Sequence, residues 1–259
     1  MKEKSAFQVA FPVSSVWFGA LVGPSMISGA FAASYFAPYG AAGLLLPFLS
    51  MGMAAFIIAM GAEIVRRDRV YTYSEFANCI YGNLRTALTP VLEIYMIIAM
   101  VVGGSAVVSM GAVFFSDLTG LPEIIGAIIV SLISILLVLW GERLVRASSS
   151  LMSIVMIAGM VLLTIFAIGN RGSELADILS DFQLPKDVSI KTGIVGAVAL
   201  GFSNACNALT LSAVEQEVTS PRHSAAIGVC SFLLNSLAFL LSTLLLLPYC
   251  PQVLDESVP

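Results

Sequence analysis

The stretch Gly19-Ala20-Leu21-Val22-Gly23-Pro24-Ser25-Met26-Ile27-Ser28-Gly29-Ala30-Phe31 lies in the middle of a run that is apolar from Val13 to Ala37. Such a run is long enough to cross a bilayer, which takes roughly 20 mainly apolar residues. Yet it carries glycines at 19, 23 and 29, a proline, and two serines in its centre. Proline removes a backbone donor and collides with the carbonyl four residues back. Glycine lowers the cost of leaving helical dihedrals. The reading is a membrane helix interrupted at mid-depth, and irregular backbone survives there only when buried in protein or facing a water-filled cavity. A small-residue packing groove is the competing reading, because Gly19-x-x-x-Gly23 is a helix-contact spacing.

The rest of the chain agrees with a bilayer as solvent. Of 259 residues, 58% are hydrophobic and 11% charged, with a mean hydropathy of +0.97; soluble domains carry about 25% charged residues. This excludes a disordered, collagen-like or nucleic-acid-binding chain. Cys79, Cys206, Cys230 and Cys250 are scattered, so neither a zinc site nor a disulfide framework is indicated, and no cofactor is expected. Seven apolar runs follow one another: Val13 to Ala37, Gly40 to Ile64, Thr86 to Phe115, Pro122 to Trp140, Ser148 to Gly169, Ile190 to Val214 and Ser224 to Pro248. They are too long and too uniformly apolar for barrel strands. The expected fold is therefore all-α, a polytopic protein with about seven transmembrane helices.

Lysine and arginine in short loops set orientation. With the N-terminus in the cytoplasm, nine of the twelve fall inside: Lys2, Lys4, Arg66, Arg67, Arg69, Arg85, Arg143, Arg146 and Arg222. Trp17, Trp140, Tyr35, Tyr39 and Tyr249 are expected as interfacial anchors. Between the second and third runs, Tyr71, Tyr73, Phe76 and Ile80 suit a short helix on the inner surface. Ser173 to Phe182 predicts another on the outer side.

A counterpart to the first interruption is the polar middle of the sixth run, Gly201, Phe202, Ser203, Asn204 and Asn207. At an offset of 178 residues, Gly23-Pro24-Ser25 falls on Gly201-Phe202-Ser203. Interrupted segments at corresponding places in two halves are a sequence pointer to a transporter binding site. Five runs lie between the two, so the second half would enter the membrane from the opposite side, as in an inverted repeat. This divides the chain into a first five-helix repeat (1–169), an outer loop with a short helix (170–189), and the start of a second repeat (190–259). The repeat logic would carry a second set of five helices to about residue 347; three further helices are expected beyond Pro259.

The Gly23 to Phe31 stretch, the Arg66 to Gly82 loop ending in Tyr81-Gly82, and the polar sixth run together resemble YkvI-type bacterial membrane proteins. These are similar to the amino acid-polyamine-organocation transporter superfamily, whose fold is the leucine-transporter-like five-plus-five inverted repeat. In place of that family's Gly-Ala-Gly-Phe-Ala-Thr-Gly-Gln-Glu, this chain has Gly23-Pro24-Ser25-Met26-Ile27-Ser28-Gly29-Ala30-Phe31. The outer glycines and a hydroxyl match, and Ala30-Phe31 replaces the polar pair. The resemblance implies a secondary active transporter of the cytoplasmic membrane, moving a small polar solute such as an amino acid, with a sodium ion or a proton as coupling ion. In the resembled fold a sodium site joins helices one and eight.

The candidate solute-binding residues are Gly23, Pro24, Ser25, Ser28, Gly29, Gly201, Phe202, Ser203, Asn204 and Asn207. Glu93, an acid inside the third run, is a coupling candidate, because an intramembrane carboxyl points to function by default; the alternative is pairing with Arg85. Asn235 and the Gly103-Gly104-Ser105 cluster either face the cavity or permit close packing. Two other functions compete with transport. One is a membrane sensor or receptor, or a degenerate relative, on the same fold. The other is an intramembrane serine protease at Gly201-Phe202-Ser203, which needs a histidine near that serine; the lone His223 lies in a polar loop, so the expectation is no enzyme. The bilayer and a small solute are the expected partners, nucleic acid is not, and the oligomeric state is left open.

Overall fold

The computed structural model describes residues 5–22, 29–140, 142–180, 188–205, 208 and 217–249. Among them there is no strand. Nine α-helices follow in order: α1 (Ala6–Val22), α2 (Ala30–Tyr35), α3 (Leu46–Asp68), α4 (Tyr73–Tyr81), α5 (Arg85–Thr119), α6 (Glu123–Trp140), α7 (Glu142–Ser180), α8 (Ile190–Ala205) and α9 (Pro221–Leu246). Four segments are long and apolar enough to cross a membrane: Ala37–Asp68, Tyr73–Thr119, Ala147–Ser180 and Pro221–Tyr249. Ala6–Leu21 and Glu123–Leu137 are shorter apolar helices. The chain is a multi-pass, membrane-embedded helical protein.

Local chemistry explains several boundaries. Ser5 and Gln8 cap α1 reciprocally, the Gln8 amide donating to Ser5 Oγ and the Ser5 amide to Gln8 Oε1, a pairing that satisfies two orphan donors at a helix start. Thr72 caps α4 by accepting from the Glu75 amide. Gly120 ends α5 in the left-handed region, where glycine carries no steric penalty. A 3-10 stretch, Ala37–Leu45, leads into α3 and bends at Gly40. The outer-surface helix expected at Ser173 to Phe182 is not a separate element. It continues the fifth span as one helix, α7, bent at Arg171, whose guanidinium stacks on the Tyr249 ring at 4.5 Å and bonds Glu174 at 3.1 Å.

Helices α1, α3, α7, α8 and α9 pack into one body, with α3 against both α8 and α9 and α1 against α9 and α7. Their directions follow from paired contacts. Ser14 meets Ile227 while Gly29 meets Leu246, so the first span runs parallel to α9. Phe48 meets Phe232 while Glu63 meets Ser224, so α3 runs antiparallel to α9. Gly201 meets Ser50 and Ala208 meets Gly61, so α3 and α8 run parallel. The α5/α6 hairpin lies at the edge, touching α4 and α7, and its apolar side chains such as Ile98, Val102 and Ile124 are exposed, as a lipid-facing surface is.

Apolar side chains gain little by leaving hydrocarbon for one another, so membrane helices associate through close packing at small residues. A Cβ on Gly201 would stand 2.6 Å from the Ser50 carbonyl oxygen, and one on Gly228 would stand 2.7 Å from Ala59 Cβ. Gly111 and Gly126 zip α5 to α6 in the same way. Trp17 departs from its expected interfacial place: it is fully buried in the core beside Val13, Phe18, Met51 and Phe239, because the face of α1 that carries it turns inward. Replacing Gly228 by Val should push α3 and α9 apart and cost about 1–3 kcal/mol as overpacking. A thermal melt in detergent reads this as a clear drop in midpoint, whereas Gly103→Ala, whose added methyl meets open space, should leave the midpoint unchanged.

Candidate functional site

The first apolar run is not one continuous α-helix, because it is interrupted at Gly29. Helix α1 ends at Val22 and α2 starts at Ala30, with Gly29 between them at φ 69°, ψ 0°. That left-handed backbone cannot belong to a continuous α-helix. The candidates Gly23, Pro24, Ser25 and Ser28 lie outside the described residues, as does Asn207.

The sixth span differs from expectation. Gly201, Phe202, Ser203 and Asn204 are all within α8, which continues to Ala205. Its polar centre does not unwind the helix there, because the side chains spend their donors on the preceding turn. Ser203 Oγ donates to the Leu200 carbonyl at 3.0 Å and Asn204 Nδ2 to the same oxygen at 2.9 Å. Such back-bonding lets serine and asparagine sit inside a helix. Gly201 serves close packing on α3, as shown above. Asn204 is buried, whereas Phe202 is 55% exposed and Ser203 points outward.

Gly29 and Gly201 are not at one depth. Gly29 stands against Leu246. Gly201 stands against Ser50, which lies opposite Phe232, since Phe48 and Gly52 of α3 both touch that ring. The separation along α9 is fourteen residues, or about 21 Å at 1.5 Å per residue.

What connects the two depths is α9 itself. Ser224, Ser231, Asn235 and Ser242 recur at spacings of seven, four and seven, which places them on one face, and all four are buried. This face lies in the seam between α1 and α3. Ser224 Oγ donates to Glu63 Oε2 at 2.9 Å, and Glu63 also accepts from Arg66 Nε at 2.9 Å, tying the C-terminal end of α3 to the start of α9. Ser231 Oγ donates to Ser14 Oγ at 3.0 Å, and Ser14 passes its own proton to the Ile227 carbonyl at 3.1 Å. One turn on, Asn235 Nδ2 donates to the Ser231 carbonyl at 2.9 Å.

Around this stripe are polar atoms with no hydrogen-bond partner among the described residues: Asn235 Oδ1, Ser236 Oγ, Ser50 Oγ, Ser15 Oγ and Trp17 Nε1. A buried polar group left unpaired costs about 1–3 kcal/mol. Asn235 Oδ1 is an acceptor with nothing to accept. Asn235 stood out in the sequence as a polar residue within an apolar run, but serines are common in membrane helices, so only the seven-four-seven spacing joined Ser224, Ser231 and Ser242 to it, and Ser15 and Ser50 carried no signal at all.

Glu93 is half-buried on α5, and no ion pair joins it to Arg85 among the described residues. His223 is buried at the start of α9, its Nδ1 accepting from the Thr219 amide at 3.3 Å. Ser203 and His223 thus have other partners, and neither bonds the other. No cluster of potential metal-ligating side chains occurs among the described residues. No family model, curated protein or solved structure matches this chain.

The orphaned hydroxyls make a stability test. Ser236→Ala removes a buried group that bonds nothing and should leave the melting midpoint level or higher. Ser14→Ala breaks both links between α1 and α9, each worth about 0.6 kcal/mol in a membrane core, and should lower it.

Proposed function

We propose that this protein is the core of a secondary active transporter of the cytoplasmic membrane. A small polar solute, of the amino-acid kind, crosses it by alternating access between α1, α3, α8 and α9. The observation that carries the reading is the buried polar face of α9, with Asn235 Oδ1 unpartnered among the described residues. Keeping such groups dry and unpaired is costly, and a solute donor or water in the seam between α1 and α3 would satisfy them. The stripe runs from the depth of Gly201 to that of Gly29, so it forms the path between the two candidate segments.

In this reading Gly23, Pro24, Ser25, Ser28 and Gly29 offer backbone groups freed by the interruption of the first span, and Ser203, Asn204 and Asn207 offer side chains from the sixth, with Phe202 beside them. Because Gly201 to Asn204 keep their helical bonds, the sixth span contributes through side chains more than through main chain. Two halves related by an inverted repeat agree with the packing. Exchanging the first span with the sixth and the second with the seventh turns the α1/α9 contact into the α8/α3 contact, both parallel, and leaves α3/α9 as it is. Seven spans with a cytoplasmic N-terminus complete the arrangement, with a sodium ion or a proton as drive and Glu93 as the acid within the spans.

Purified protein in vesicles, screened with radiolabelled amino acids under imposed sodium or proton gradients, tests the reading. Asn235→Leu should cut initial uptake about tenfold, the equivalent of about 1.4 kcal/mol, while its melting midpoint holds, and Ser25→Leu and Asn204→Leu should each slow uptake. No uptake of any solute under either gradient, or Asn235→Leu transporting like the parent, overturns it.

A further inference from the structure

A pocket of about 410 Å3 lies outside the polar seam, between the last turns of α3, helix α4 and the end of the sixth span. Its walls are Ile57, Gly61 and Ile64 of α3, Phe76 and Ile80 of α4, and Phe202 of α8. Gly61 makes the floor possible: a Cβ there would stand 3.4 Å from the Phe76 ring and 3.2 Å from Ala208 Cβ. The pocket is held open by polar bonds on the far side of α4. Cys79 Sγ donates to Asp68 at 3.0 Å, Thr89 Oγ1 of α5 donates to Asn78 at 2.8 Å, and Thr72 caps the helix start.

Depth and charge identify the occupant. Ile57 to Ile64 covers about 10 Å of helix, just before the charged band Glu63, Arg66, Arg67 and Asp68 that ends α3. The cavity is therefore in hydrocarbon immediately under the headgroups, where acyl chains are the prevailing solvent. An apolar pocket of several hundred cubic ångströms takes an apolar body and few polar contacts. In the charged band Arg66 is paired with Glu63 and Arg67 with Asp68. Arg69, just past α3, and Arg85, at the start of α5 beyond α4, are exposed and make no ion pair among the described residues. They flank the two helices that wall the pocket, and exposed arginines near a membrane surface attract anionic headgroups.

We infer that this pocket is a binding site for an anionic phospholipid, one acyl chain lying between α3 and α4 against Phe202 and the headgroup facing Arg69 and Arg85. A lipid so placed braces the outer side of the α8 segment that carries Ser203 and Asn204. The site goes beyond transport and does not depend on it.

Photolabelling tests it. The full chain in vesicles is exposed to phosphatidylglycerol carrying a diazirine near the middle of one acyl chain, and labelled peptides are mapped. Label should concentrate on 57–64 and 73–81, exceed that on the more exposed Ile97 to Val102 of α5, and fall when phosphatidylcholine carries the diazirine. Ile80→Trp or Met60→Trp, both at exposed lining positions, should lose most of the label by filling the pocket, and Arg69→Gln with Arg85→Gln should erase the headgroup preference. Label spread evenly over α5, equal labelling by phosphatidylcholine, or stronger labelling by a diazirine fatty acid overturns the inference, as does label retained in both tryptophan variants.

Discussion

The close approach of α3 to α8 and α9 is the contact on which the rest of the structure depends. It occurs where Gly201 and Gly228 present no side chain, so that Ser50 and Ala59 reach the facing backbone. In hydrocarbon, apolar contact between helices replaces apolar contact with lipid at little net gain, and shape complementarity at small residues supplies the difference. Because α3 is held on two sides, α8 and α9 keep a constant spacing. The seam between α1 and α3 is lined by small polar side chains of α9.

That seam explains why α9 can carry serines and an asparagine at full burial. Ser14, Ser231 and Asn235 bond across and along the seam, and Ser224 closes it at the start of α9 through Glu63. The pairing is incomplete. A core tuned for stability alone would place alanine at Ser236 and Ser50, and the retained hydroxyls mark a region whose polarity is kept at a cost. Functional surfaces commonly carry this signature, where a local rule is broken and compensated elsewhere.

The peripheral parts follow a different logic. Helices α5 and α6 pack through Gly111 and Gly126 on each other and expose most of their remaining surface. Helix α4 lies across the C-terminal end of α3, fixed by its cap and by Cys79 and Asn78. It forms a wall instead of filling the space beside Gly61. The apolar pocket lies against α8, and the polar seam lies on the other side of α3, where α9 meets α1.

Much of this architecture was legible in the amino-acid sequence. Uniformly apolar runs can only be membrane helices, since no other element satisfies its backbone inside lipid, and the discontinuity near Gly29 followed from glycine and proline at mid-span. The amphipathic pattern at Tyr73 to Tyr81 was equally plain. What the sequence could not disclose is how polar side chains in a helix are satisfied. Ser203 and Asn204 looked like a break and instead bond back to Leu200, a choice between two local partners that packing on Ser50 decides. Trp17 looked interfacial by its place in the chain, and only the rotation of α1 about its axis turned it inward. The importance of α9 arises because Ser14 on a distant helix stands opposite Ser231. Periodicity tells which residues share a face, and tertiary packing alone tells what that face meets.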